Sequence, residues 1–266
     1  MIRDAHIHSP FCPHGTTDSF ESYIEKAISH GLTDITFTEH APMPKGFIDP
    51  TPQKDSGMRE EDVLPYIEKI QALQQQYKEH IHIRVGFEID YIAGFEQQTK
   101  EWLNHYGPFI DDSILSVHFL LHDDQYVCID YSDDVFIDFA SKIGGVQNIY
   151  TLYYNSIKAS ILADLGFFKP KRIGHPTLVH KFQLAHNEAI DDRHAVEEVL
   201  HMMAQQQLEL DVNSAGYAKK FCKEPYPPLT YFKLIKALNI PIIFGSDAHQ
   251  AQDLLQYSEY LQPYFD

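Results

Sequence analysis

Two histidines one residue apart, in Asp4-Ala5-His6-Ile7-His8, follow an apolar start at Ile2. On a β-strand successive side chains alternate between faces, so His6 and His8 point one way and Ile7 the other. Imidazoles separated by about 6.6 Å of rise can share one metal ion where a strand ends and its backbone splays. Asp4 falls on the same face and can orient an imidazole or reach the ion. The i, i+2 spacing returns late in the chain, as Asp247 and His249 in Gly245-Ser246-Asp247-Ala248-His249. Between these pairs lie Thr38-Glu39-His40, Glu88 in Val85-Gly86-Phe87-Glu88-Ile89, His118, and Gly174-His175-Pro176. An unpaired carboxylate among apolar residues is costly, which favours a paired side chain or a metal ion beside Glu88. His14, in Pro13-His14-Gly15, lies in the loop that leaves the first of these segments.

Hydrophobic periodicity indicates the elements that must position these groups. Short apolar runs predict strands over 2–8, 33–38, 81–87, 113–117, 172–174, 208–212 and 240–244, with a short extra strand over 126–129. Helical spacing predicts helices that run to about residue 30 (capped by Thr17 or Asp18, closed by Gly31), and over 59–79 and 95–106. Further helices are predicted over 135–165 (divided at Gly144-Gly145), 191–206 (capped by Asp191 or Asp192), 230–238 and 252–261. Residues 41–57, rich in Pro, Gly and Asp, read as a long binding loop or lid. Strands alternating with helices imply parallel β/α units. Seven of them predict a closed or nearly closed barrel, with a doubly wound open sheet as the alternative. No linker, repeat or low-complexity tract divides residues 1–266, which read as one domain.

Each predicted strand ends, at its C-terminal side, in a polar or metal-competent residue: His6 and His8, Glu39 and His40, Glu88, His118, His175, Asn213, then Asp247 and His249. In parallel β/α architectures those ends converge on one mouth. His30, His80, His82, His105, His186, His194 and His201 fall on helices or strand beginnings and read as surface residues. The mouth then collects His6, His8, His14, His40, Glu88, His118, His175, Asp247 and His249, more donors than one tetrahedral ion needs. They suit two or three ions of the Zn, Mn or Fe type, with Glu88 or Asp247 bridging. Water held between such ions ionises near neutral pH and becomes the nucleophile of metal-assisted hydrolysis.

Charge narrows the substrate. Lys plus Arg total 21 against 38 Asp plus Glu, a formal charge of −17 that repels nucleic acid and anionic lipid. No apolar run approaches the roughly 18 residues that span a bilayer, and no export signal is evident. Cys12, Cys128 and Cys222 lack C-x-x-C spacing and read as free thiols of a reducing compartment. A cytoplasmic protein acting on a small molecule is expected.

In order and over nearly the whole chain, Asp4-Ala5-His6-Ile7-His8, Thr38-Glu39-His40, Glu88, Ser116-Val117-His118, Gly174-His175-Pro176 and Ser246-Asp247-Ala248-His249 resemble the motifs of the PHP (polymerase and histidinol phosphatase) superfamily. The resemblance implies a distorted (β/α)7 TIM-like barrel holding up to three metal ions and cleaving phosphate esters. Phe37-Thr38-Glu39-His40-Ala41-Pro42, Gly86-Phe87-Glu88-Ile89-Asp90-Tyr91 and Ser116-Val117-His118-Phe119-Leu120 are similar to the histidinol-phosphate phosphatase branch, which releases phosphate from L-histidinol phosphate in histidine biosynthesis. Carried over by motif, His6, His8, Glu88 and Asp247 would hold the first ion. Glu88 would bridge to a second that adds His118 and His175, and His14, His40 and His249 would hold a third. Glu88, Asp247 and His249 are the expected catalytic residues, with Asp247 or a mouth histidine giving the leaving alkoxide its proton.

Two departures stand out. Glu39 replaces the Asp that many members carry, and His180 precedes Lys181-Phe182 where relatives tend to carry Arg. Lys158, His180, Lys181 and Arg172 are the candidates for the phosphate clamp, and Asp49 and Asp55 for contact with the cationic substrate. The alternatives are a superfamily phosphoesterase acting on a nucleotide, or a non-catalytic metal-binding module. Open coordination positions, with nine ligands spread over three ions, favour catalysis.

Overall fold

The structure is a computed structural model and describes residues 3–265, so Ile2 lies outside the described residues. Parallel pairing runs from β1 (Arg3–Ile7) to β2 (Asp34–His40), β3 (His82–Asp90) and β4 (Asp112–Ser116). An antiparallel hairpin of β5 (Phe119–His122) and β6 (Gln125–Cys128) then leaves the sheet, turning at Asp123 and Asp124, both at positive φ. Pairing resumes from β4 to β7 (Arg172–Ile173), β8 (Glu209–Asn213) and β9 (Ile242–Gly245). The seven-stranded sheet curls until its two edges meet. Beyond β9, the His8 amide donates to the Ala248 carbonyl (2.9 Å) and the Asp247 amide to the His6 carbonyl (2.8 Å). The predicted (β/α)7 barrel is therefore the fold, joined along a seam between the first strand and the segment after the last.

Asp4 fastens that seam. Its buried carboxylate accepts the amides of Ser246 (3.0 Å) and Leu255 (3.2 Å), so it does not reach the ion or orient an imidazole as expected from its spacing. Between Asp4 and Ile7 the β1–β2 register slips by one residue, a bulge whose spare amide, on Ile7, donates to Thr38 Oγ1 at 3.2 Å. With the strand kinked there, the His6 and His8 rings lie 5.3 Å apart, centroid to centroid.

The helices α1 (Phe20–Ser29), α2 (Val63–Tyr77), α3 (Glu96–Tyr106), α4 (Asp133–Ile143), α5 (Val146–Leu162), α6 (Arg193–Gln205), α7 (Phe232–Ala237) and α8 (Ser258–Leu261) accompany the strands. Outward strand residues are apolar: Phe37 meets Phe20 and Tyr23 of α1 at ring distances of 4.9 and 6.0 Å. Burying each such side chain contributes about 1.5–3 kcal/mol, and this apolar layer holds the strand ends in place. Ser19, not Thr17 or Asp18, caps α1, accepting the Ser22 amide; the Asp18 carboxylate instead accepts the Ala251 amide. Asp192 precedes α6 without capping it, because its carboxylate is engaged elsewhere.

The helix expected over 252–261 is broken. A 3-10 turn (Ala251–Asp253) gives way to positive φ at Leu255 and Tyr257, and only α8 is helical. Tertiary bonds override the local preference: Leu255 donates to Asp4, and Gln256 accepts from the Ser214 hydroxyl at 2.6 Å. His186, expected on the surface, is half-buried against Phe136. Among the described residues no helix is long and apolar enough to cross a membrane.

Candidate metal centre

All nine expected ligands come together at the C-terminal ends of the strands. β3 is longer than expected, so Glu88 lies within it, in register with His40 on β2. Its two oxygens face different partners. Oε2 lies 3.3 Å from His6 Nε2, 3.6 Å from His8 Nε2 and 3.2 Å from His40 Nδ1. Oε1 lies 2.8 Å from His175 Nε2 and 3.7 Å from His118 Nε2, and accepts the Ser116 hydroxyl at 2.6 Å. Asp247 Oδ1 adds contacts to His8 Nε2 (3.2 Å) and His6 Nε2 (3.7 Å). Buried His8 Nε2 and His40 Nδ1 have no hydrogen-bond partner. Nitrogen lone pairs withdrawn from water and aimed at carboxylates fit a divalent cation between them.

Behind the nitrogens stands a layer of carboxylates that orients them. His6 Nδ1 meets Asp211 at 2.8 Å, His8 Nδ1 meets Glu39 at 3.2 Å, and His118 Nδ1 meets Asp90 at 2.8 Å. Glu39, the departure from Asp, also accepts from the Ser9 hydroxyl (2.6 Å) and the His40 amide (2.9 Å), which locks the loop leaving β1. Each imidazole so held turns its Nε2 inward. Replacing Asp211 with Asn should weaken metal retention by about 10–100-fold without unfolding the barrel, as a competitive chelator titration would read.

Electrostatics follow from this crowding. Burial alone would strip the proton from His6 and His118, but Asp211, Glu88 and Asp247 hold His6 up at about 10, and Asp90 chiefly does the same for His118. Desolvation pushes buried Glu88 and partly buried Asp247 up, yet the surrounding histidines keep both well below the usual carboxylate range. Burial and the neighbouring His8 push His40 well down. Backbone conformation is unusual at the same place: His175 (φ +23°) and Asp247 (φ +53°) sit in the left-handed region. Two glycines allow the approach. A Cβ on Gly245 would lie 2.5 Å from Asp211 Oδ1, and one on Gly174 2.1 Å from the Ser116 hydroxyl.

Donor atoms fall into three groups: His6, His8 and Asp247; His6, Glu88 and His175; and His8, Cys12, His40 and His249, each within 4.8 Å of one another. Cys12 is a member not foreseen. The His14 ring lies 5.0 Å from that of His40 and 5.2 Å from that of His249, with its Nδ1 bonded to the Asp55 carbonyl at 2.9 Å.

The cluster floors a cavity of about 460 Å³, walled on one side by the hairpin and on another by the turn after β8. Lys181 lines it, paired with Asp130 at 2.9 Å. The other expected clamp residues do not. Arg172 begins β7 and is therefore at the opposite end of the barrel, its guanidinium on Asp112 at 2.6 Å. Lys158 pairs with Glu198 between α5 and α6 (3.1 Å). His180 is buried between Asp192 (2.7 Å) and Glu224 (2.8 Å). Asp55 lines the cavity, whereas Asp49 folds its own loop by accepting the Thr51 and Ser56 amides.

His180 is a structural group with a pH signature. Burial lowers its pKa, but Asp192 and Glu224 raise it to about 9, above the roughly 6.5 of an unfolded chain. Protonation is thus favoured in the folded state, and the stabilisation is complete below about pH 6.5 and fades as pH rises through 9. Chemical unfolding of His180→Gln beside the parent should show a gap of about 3 kcal/mol at pH 6 that closes by pH 10.

Fold and site together define a class: β/α barrels whose strand ends gather imidazoles and carboxylates suited to several divalent cations. Residues 4–215 match the PHP domain family, and the chain belongs to it. The chain is 45% identical to the histidinol-phosphatase of Bacillus subtilis over 254 residues, 95% of each protein. A crystal structure of the proposed histidinol phosphatase hisK from Listeria monocytogenes superposes with a TM-score of 0.90 at 37% identity, covering 97% of this chain and 99% of that one. The fold extends to a Lactococcus lactis histidinol phosphate phosphatase crystallised with zinc, L-histidinol and phosphate (TM-score 0.66, 19% identity, 98% and 93% covered).

Proposed function

We propose that the chain is a metal-dependent phosphoric monoester hydrolase that converts L-histidinol phosphate to L-histidinol and phosphate, a step of histidine biosynthesis. The observation that carries the chemistry is Glu88, whose two oxygens address separate histidine sets and so can join two cation positions. The substrate follows from 45% identity to the Bacillus enzyme along nearly the full length of both proteins. The proposal takes residues 1–266 as one domain, since β9 supplies the last wall of the same sheet.

His6, His8, Glu88 and Asp247 would hold one divalent ion, Glu88, His118 and His175 a second, and His14, His40 and His249 a third, with zinc, manganese or iron as the metals. Bound, such ions supply an ionised water as nucleophile and neutralise phosphoryl charge. The side chains do the rest. Asp211, Glu39 and Asp90 keep the imidazoles aimed. Lys181 offers an ammonium group to the phosphoryl oxygens. Asp247 and His249 stand at the partly exposed rim, where either would give a leaving alkoxide its proton. The carboxylates of Asp55, Asp130 and Asp253 suit a cationic amine and imidazole.

Phosphate release from L-histidinol phosphate, AMP and p-nitrophenyl phosphate, each with Mn, Zn or Fe, tests the reading. The histidinol ester should lead in kcat/KM by at least about 100-fold. Preference for AMP would transfer the chain to nucleotide chemistry, and no turnover of any ester would leave a metal-binding module.

A further inference from the structure

The cavity is to receive a phosphomonoester, close to a dianion at neutral pH, yet few fixed cations face it. Besides histidines, two ammonium groups line it, Lys181 and Lys219. Lys181 already has a carboxylate beside it, Asp130 at 2.9 Å. Among the described residues Lys219 forms no salt bridge and no side-chain hydrogen bond. The charges that act on it, Lys181, Asp247, Asp130 and Asp253, do so through space, and all four line the same cavity. This half-buried ammonium group, with a second lysine near it, has no carboxylate in contact among the described residues.

The backbone that carries it is well fixed. After β8 the chain makes a 3-10 turn (Ala215–Tyr217), the Lys219 amide donates to the Gly216 carbonyl (3.2 Å), and the Cys222 amide to the Lys219 carbonyl (3.3 Å). Gly216 admits no side chain, since a Cβ there would lie 2.1 Å from the Glu224 carbonyl. The turn is thereby packed against Glu224, the residue that holds His180 away from the cavity. His180, buried between Asp192 and Glu224, does not line the cavity and lends it no free charge.

We infer that Lys219 binds the phosphoryl group of the substrate, supplying from the turn after β8 the cation that His180 does not provide. This rests on the phosphatase reading. Lys219 acts as a point charge on a non-bridging oxygen, and its pairing with the dianion relieves the repulsion from Lys181.

The test uses the metal-loaded protein and its two products as separate probes. Inorganic phosphate and L-histidinol are titrated calorimetrically into the parent, Lys219→Met, Lys219→Arg and the control Lys158→Met, alongside steady-state kinetics and metal counting. Lys219→Met should bind phosphate about 10–100-fold more weakly, with L-histidinol affinity and bound metal unchanged. Lys219→Arg should recover most of the phosphate affinity, and Lys158→Met should match the parent. If Lys219→Met does not fold, Lys219→Gln carries the same expectation. Parental phosphate affinity in an active, neutral variant would overturn the assignment and leave the phosphatase reading standing. A parent that turns over no phosphomonoester would remove both.

Discussion

Glu88→Ala should lower turnover by more than about 10³-fold and reduce the number of ions retained, because in the proposed site one carboxylate would serve two positions. The expectation follows from how its oxygens are divided, Oε2 among His6, His8 and His40, Oε1 between His175 and His118. Alanine would remove both donors and leave five imidazoles facing one another across a buried space, with Asp247 the carboxylate left on their inward side. Glu88→Gln separates charge from shape. It keeps an oxygen for one side but offers no anion to the other, so metal counting should show partial retention and turnover should stay low. Parental turnover in Glu88→Ala with fewer bound ions would exclude a bridging role.

Stripping the ions with a chelator should have the second largest effect, silencing the reaction and lowering the melting temperature together. Buried Glu88, Asp211, Asp90 and Glu39 face imidazoles, and bound cations would answer the charge that remains. An ion that binds only the folded chain adds about 4 kcal/mol at a thousandfold excess over its Kd, or roughly 10 °C in a protein of this size. The loss should reverse when Zn, Mn or Fe is returned, and acid should weaken rebinding, since the ligands must shed protons. A scanning calorimetry trace unmoved by chelation would mean that the ions contribute nothing to holding the strand ends together.

What was legible beforehand was whatever repeats with a period. Seven strands and their order followed from alternation, and the nine mouth residues from the rule that parallel strands share one functional end. The same rule was available for Arg172, which begins its strand and so faces the other end, and period-two spacing could have added Asp211 beside Asn213 and Asp90 beside Glu88. Lys219, Asp130 and Cys12 belong to turns and loops, where no periodicity signals which way a side chain points. Asp4 shared the face of His6, but the bulge and the approach of Ser246 and Leu255 turned its carboxylate to backbone amides. The broken segment after Ala251 failed for the same reason: partners distant in sequence satisfied its backbone.

The join between His6, His8 and Asp247, Ala248 has a consequence for how the protein comes into being. During synthesis the imidazoles of His6 and His8 leave the ribosome well before their opposite bank, which lies some 240 positions downstream. Until that stretch clears the exit tunnel, those imidazoles have no carboxylate from Asp247 beside them, and the donor set of His6, His8 and Asp247 stays incomplete until the ring closes.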